Sequence, residues 1–246
     1  MAATTKPIPS VWARPQREAD RPALSRDAIV REAIALLDAE GVDALSMRKL
    51  GARLNAAATS LYRHVANKDE LMELAVDEVA AEVTVPATDG RDWRAAVTQA
   101  ARSFRDTVLH HPWLASVMGH AGLACLGPNL MSVSERLAAL FTKAGFPDPR
   151  GAIDVVLSYV IGMSTAEAAW LTTVARSGET EADFVARLMP AAQRAAAGYD
   201  YLTQAYYTAA PNPDPALARD TKFADGLGIV LDGLATRIPR GNVARR

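Results

Sequence analysis

From residue 25 onward apolar residues recur every three or four positions, the period of an amphipathic helix. Ile29, Ala33, Leu36 and Leu37 make the first such stripe, with Ser25 ahead of it as an N-cap, Asp27 in its first turn and Gly41 as its stop. A second helix is expected from the N-cap Ser46 to Leu54. Leu45 before the cap and Leu50 at the fourth helical position form a hydrophobic staple that sets the angle of the incoming chain. A third runs over 57–64. A fourth starts at Asn67, with Glu70 completing a capping box. Val85 to Arg91, carrying Pro86 and Gly90, breaks the periodicity and is the expected domain boundary. Longer helices are then expected over 92–110, 113–121, 128–144, 149–174, 181–197, 199–209 and 222–238, with loops at 176–180 and 211–215.

Composition agrees with an all-α chain: 49 of the 246 residues are alanine, the best helix former. The single cysteine, Cys125, excludes a disulfide framework and any multi-cysteine zinc site. No segment is expected to span a membrane, because the charge-free apolar run 155–166 is too short. Residues 1–24 carry Lys6, Arg14, Arg17 and Arg21 among four prolines, Glu18 and Asp20, which reads as a flexible basic arm rather than a signal peptide. The tail 239–246 is expected to be disordered, and the chain is read as cytoplasmic.

A net charge of −1 argues at first against nucleic acid. The average hides a local excess: Arg48, Lys49, Arg53, Arg63 and Lys68 lie between residues 44 and 68 without one Asp or Glu. The same stretch has the parts of a helix-turn-helix. Gly51 is small where two helices cross, Asn55 tolerates a left-handed backbone in the turn, and Leu50, Leu54 and Leu61 supply the apolar contact. In such a motif the second helix enters the major groove and the first lies across the backbone. Thr59, Ser60, Tyr62, Arg63 and His64 are therefore placed at bases or phosphates, and Arg48 and Lys68 at phosphates.

The stretches Leu36-Leu-Asp-Ala-Glu-Gly-Val-Asp-Ala-Leu-Ser-Met-Arg-Lys-Leu50 and Thr59-Ser-Leu-Tyr-Arg-His-Val-Ala-Asn-Lys-Asp-Glu-Leu71 resemble the N-terminal DNA-binding domain of TetR-type transcriptional regulators. Asn55 stands where that family usually has Gly. The resemblance implies a three-helix DNA-binding head with a linking helix over 25–84 and a helical ligand-binding and dimerisation body over 85–238. It also implies repression of a palindromic operator in double-stranded DNA, relieved by a small-molecule effector. Carried over, Arg48, Thr59, Ser60, Tyr62, Arg63, His64 and Lys68 are the DNA contacts. Gly127-Pro-Asn-Leu, Ala144-Gly-Phe, Leu157-Ser-Tyr-Val-Ile-Gly162 and the segment 223–234 resemble the tetracycline-repressor subgroup, implying a four-helix bundle between two subunits. Ser158, Gly162 and Ala166 form a small-residue strip that fits a homodimer, and Leu227, Leu231, Leu234 and Ile238 a heptad-like stripe. Either pattern also fits a monomeric core.

By residue type, Phe104, Trp113, Met118, His120, Met131, Tyr159, Met163 and Trp170 are the candidates to line an effector pocket. His110, His111, His120 and Cys125 are metal-ligating types, but adjacent histidines point about a hundred degrees apart on a helix and no carboxylate completes a set, so no metal site or cofactor is expected. An effector arriving as a metal chelate stays open by analogy with the tetracycline repressor. No nucleophile–base pair, catalytic carboxylate pair or phosphate loop is present, so the chain is not read as an enzyme. An interaction module without DNA binding would leave the basic stretch unexplained.

Overall fold

The structure, a computed structural model, describes residues 24–118, 127–206 and 214–239. The arm up to residue 23, His120, Cys125, most of the 211–215 loop and nearly all of the C-terminal tail lie outside these residues. Among the described residues the chain is entirely helical. The head comprises α1 (Arg26–Glu40), α2 (Met47–Arg53), α3 (Ala58–Leu61) and α4 (Lys68–Ala80), with a 3₁₀ turn at Val42–Ala44. The body comprises α5 (Trp93–His110), α6 (Trp113–Met118), α7 (Pro128–Lys143), α8 (Pro149–Ser177), α9 (Glu181–Ala196), α10 (Asp200–Tyr206) and α11 (Pro215–Ala235).

The caps act where the local chemistry puts them. Ser25 accepts the Ala28 N–H at 3.1 Å and Ser46 the Lys49 N–H at 3.2 Å. Asn67 accepts the Glu70 N–H at 2.8 Å, and the Glu70 carboxylate returns to the Ala66 N–H at 2.6 Å, one residue ahead of the cap. The third helix is shorter than 57–64. Arg63 and His64 bond back only three residues, to Ser60 and Leu61, so the last turn tightens out of α geometry. The last helix begins seven residues before 222. Pro215 is its first residue, with its fixed φ suited to that position, and Asp214 caps the Ala216 and Leu217 N–H groups.

Two apolar clusters organise the chain. The first gathers Ile29, Ala33, Leu36, Leu50, Leu61, Leu71 and Ala75 of the head with Val108, Trp113, Leu114, Val117 and Ala168 of the body, so the head is seated on α5, α6 and α8. The second fills the body between α5, α7, α8 and α11. Val83 and Val85 are buried in this second cluster, so the stretch read as a boundary is irregular in backbone but packed. Gly90 sits in it at φ +96° with its α-carbon against α7; a Cβ there would lie 2.2 Å from the Lys143 carbonyl oxygen.

The 29-residue α8 is central to the body. By length and composition it is apolar enough to cross a membrane, with a mean hydropathy of 1.3 over 18 residues. The charge-free run 155–166 therefore understates it. Its buried line, Ala152, Val156, Val160, Ser164 and Ala168, is instead packed inside the body. The 227–238 stripe also turns inward. Leu227 and Leu231 are fully buried in the body core and Leu234 and Ile238 pack against it, so they fill their own subunit. The outward face of α11 carries Ile229, which is 74% exposed.

Candidate nucleic-acid interface and effector pocket

The turn between α2 and α3 is built around two residues. Asn55 has φ +51°, and it is the one non-glycine left-handed residue among those described. Gly51 is buried under the turn, where a Cβ would stand 2.7 Å from the Ala56 carbonyl oxygen. Any larger side chain would push the two helices apart. Leu61 and Val65 point into the core at the helical spacing of four, which turns Thr59, Tyr62 and Arg63 to the surface. Ser60 and His64 are half-buried at the edges of this face, and the His64 carbonyl is held by the Arg26 Nε–H at 3.3 Å. Arg48 is exposed near the start of α2. Lys68 is exposed at the start of α4, and its ammonium donates to the Val42 carbonyl at 3.3 Å.

The electrostatics refine the count of five basic residues. Lys49 pairs with Glu40 and Arg53 with Glu32, both carboxylates arriving from α1. Arg48, Arg63 and Lys68 form no ion pair among the described residues. All seven sequence-derived DNA contacts lie on α2, α3, the turn after it and the start of α4.

In the body, α5, α7 and α8 enclose an apolar cavity of about 70 Å³, lined by Val97 and Phe104, by Leu130 and Val133, and by Val156 and Val160. Of the six pocket candidates whose side chains are described, only Phe104 lines it. Trp113 is buried and donates its Nε1–H to Asp38 at 2.7 Å. Tyr159 donates to the Phe223 carbonyl at 2.8 Å, and burial holds its phenol above the ordinary value. Met163 packs on the body core beside it. Trp170 stacks edge-on against Phe184 and bonds Glu181, and Met131 is exposed. Met118 ends α6, and His120 is beyond the described residues. The cavity walls are small aliphatic residues that sequence cannot tell from ordinary core.

Three polar features of the body have no local sequence signal. Arg105, buried on α5, forks onto Glu167 of α8 with two hydrogen bonds of 2.7 Å and reaches Asp220 of α11 at 2.8 Å. The Glu167 bonds hold the guanidinium further above its ordinary value, against the opposing effect of burial. Arg219 extends the network to Glu167 and Glu181. The Ser164 hydroxyl, one turn along α8 from the cavity-lining Val160, is fully buried with no hydrogen-bond partner among the described residues. His111, buried at the α5–α6 corner, lies between Asp38 of α1, 2.7 Å from Nδ1, and Glu82 just beyond α4, 3.3 Å from Nε2. These carboxylates come from 73 and 29 residues away, so local spacing does not reveal them.

Family models match both parts of the chain: residues 29–75 match "Bacterial regulatory proteins, tetR family", and residues 85–238 match "Tetracyclin repressor-like, C-terminal domain". The chain belongs to the TetR family of transcriptional regulators. An HTH-type transcriptional regulator of Saccharopolyspora erythraea is 43% identical over 164 residues, covering 65% of this chain and 69% of the relative. The HTH-type transcriptional repressor DrrR1 of Streptomyces coeruleorubidus is 33% identical over 90% of this chain and 80% of its own length. Among solved structures, the TetR family protein ActR of Streptomyces coelicolor in complex with actinorhodin superposes with a TM-score of 0.71 at 31% identity, covering 89% of this chain and all of ActR. As a TetR-family regulator, the chain pairs a helix-turn-helix reader with a helical sensor body.

Proposed function

We propose that this TetR-family chain is a homodimeric repressor that holds a palindromic operator and leaves it when a small molecule occupies the body. The carrying observation is the head: Arg48 on α2 and Tyr62 and Arg63 just after α3 are all exposed, the two arginines are unpaired among the described residues, and the turn joining the two helices is fixed by Gly51 and Asn55. Arg48, Thr59, Ser60, Tyr62, Arg63, His64 and Lys68 contact DNA, Thr59 and Ser60 from the helix that enters the groove and Tyr62 and Arg63 from the turn that ends it. Two copies meet through the outward faces of α8 and α11. This is supported by the exposed strip Ser158, Gly162 and Ala166, with open space where a Gly162 Cβ would stand, and by exposed Val155 and Ile229. Two-fold pairing sets the heads about 34–36 Å apart, one turn of B-DNA, or a multiple of it. The effector enters the apolar cavity between α5, α7 and α8; that the structural neighbour ActR forms a complex with actinorhodin supports a small-molecule effector. At about 70 Å³ the cavity is far below the roughly 300 Å³ of a small-ligand site, so binding widens it. An effector shifts the protein off DNA only by preferring that widened state.

Selection from a random-sequence duplex library tests the reading. Enriched sites are expected to be inverted repeats bound with strong salt dependence. Tyr62→Ala and Arg63→Ala are expected to weaken binding about tenfold or more while the protein stays folded and dimeric. Failure to enrich any duplex, or variants that bind like the parent, overturns it.

A further inference from the structure

The Gly127-Pro128-Asn129-Leu130 stretch opens α7, and its donors meet a residue of the head's last helix. Asp77 of α4 accepts the Leu130 N–H on Oδ1 at 2.9 Å; its Oδ2 lies 3.4 Å from the Asn129 backbone N–H and 3.2 Å from Asn129 Nδ2. Pro128 has no N–H to offer, so these are the first free donors of the helix, and a carboxylate is favoured at this positive end. Gly127 is needed for the approach, because a Cβ there would stand 2.1 Å from the Asp77 carboxyl carbon. On its other faces α4 belongs to the head, with Leu71, Met72, Ala75 and Val79 in the head core. Leu130 belongs to the cavity, which its side chain lines. One residue of α7 therefore touches both the space inside the body and the helix that carries the reader.

We infer that Asp77 is the positioning residue that links the two sites: it carries a displacement of the α7 N-terminus, caused by filling the cavity, into α4 and so into the reading helices. The inference rests on the repressor reading above and names the contact through which that reading works. Coupling between sites is reciprocal, so DNA at the head must alter the stability of the α7 N-terminus to the degree that cavity occupancy alters DNA binding. This makes the link testable with DNA alone as the probe.

Hydrogen–deuterium exchange of the full chain is followed with and without a library-selected duplex, reading peptides that cover residues 128–134. In the parent, DNA is expected to change exchange there about fivefold or more. Asp77→Asn keeps an acceptor oxygen and is expected to keep the shift, whereas Asp77→Ala abolishes it. A purely structural cap predicts something different: Asp77→Ala would speed α7 exchange equally with and without DNA, the DNA-dependent shift would persist, and the inference would fall. Gly127→Ala displaces the same carboxylate from the α7 side, so a variant of Asp77 that does not fold leaves the test intact, and a persisting shift in Gly127→Ala is equally fatal. If the parent binds DNA without any change over 128–134, the inference alone is overturned. If it binds no duplex, the repressor reading falls with it.

Discussion

The head and the body solve opposite packing problems. In the head, Leu36, Leu50, Leu61, Leu71 and Ala75 close a dry core, and the ion pairs Lys49–Glu40 and Arg53–Glu32 lie at its surface. In the body an arginine and a glutamate, each 9% exposed at the side chain, face each other inside the helix bundle. Beside them lie a small cavity and a serine hydroxyl with nothing to bond. A reader must hold several side chains in fixed register on the groove, which a closed core provides. A sensor must possess a second arrangement close in energy, and cavities and partly satisfied polar groups are where such an arrangement is cheap to reach.

The ionic networks give the largest separation between the two regions. Arg105→Ala leaves Glu167 buried with Arg219 as its remaining cationic partner, and removing one member of a buried pair typically costs about 3–5 kcal/mol. A loss of about 3 kcal/mol, the lower end of that range, is expected in chemical denaturation because Arg219 remains. Lys49→Ala in the head, where both partners are about two-fifths exposed, is expected to change stability by less than about 1 kcal/mol. Equal effects at the two sites would break the comparison.

Next in size is Gly51→Ala. The added methyl meets backbone, the Ala56 carbonyl oxygen, at the point where the Ala56 N–H also bonds the Gly51 carbonyl at 2.8 Å. The turn cannot give without losing that bond, and a cost of about 1–3 kcal/mol is expected. Because the strain lies in the head, DNA affinity should fall with it while the oligomeric state stays that of the parent, as read by denaturation, duplex titration and sedimentation of the same variant.

How far each region could be read before its structure follows from the same contrast. The head's determinants are local: Ser25, Ser46 and Asn67 each bond an N–H three residues ahead, and Gly51 and Asn55 sit four apart in one turn. Spacing and residue type suffice for such features, whereas the 3₁₀ turn at Val42–Ala44, the tightening of α3 after Leu61 and the pairing of Lys49 and Arg53 with carboxylates of α1 escaped them. The body's helices were legible in outline, except that α11 starts at Pro215, inside the stretch read as a loop, and their mutual arrangement was not legible. Arg105 finds Glu167 across 62 residues and Asp220 across 115, and Asp77 finds Leu130 across 53. No periodicity encodes those meetings. The 227–238 stripe is the clearest case, since a heptad pattern states that one face is apolar and leaves open which surface covers it. Of the aromatic and methionine residues chosen as pocket candidates Phe104 lines the cavity, and its other walls are mostly valines, alanines and leucines of core type.

The smallest expected effect is a pair of identical substitutions with opposite signs. Ser46→Ala removes a cap that satisfies the Lys49 N–H, and helix caps of this kind are worth about 1 kcal/mol, so the head should lose about that much. Ser164→Ala removes a hydroxyl that is desolvated and unpaired on α8. Burying a polar group without a partner costs about 1–3 kcal/mol, and deleting it gives up only the few packing contacts of one oxygen, so a gain of up to about 1 kcal/mol is expected. Denaturant midpoints should move in opposite directions at unchanged m-values, which marks a change in stability rather than in compactness. A loss at Ser164 would mean that its hydroxyl is satisfied in solution, and the body would then be as closed as the head. A gain would identify a site where stability has been given up next to the cavity, where a ligand group able to bond that hydroxyl would recover it.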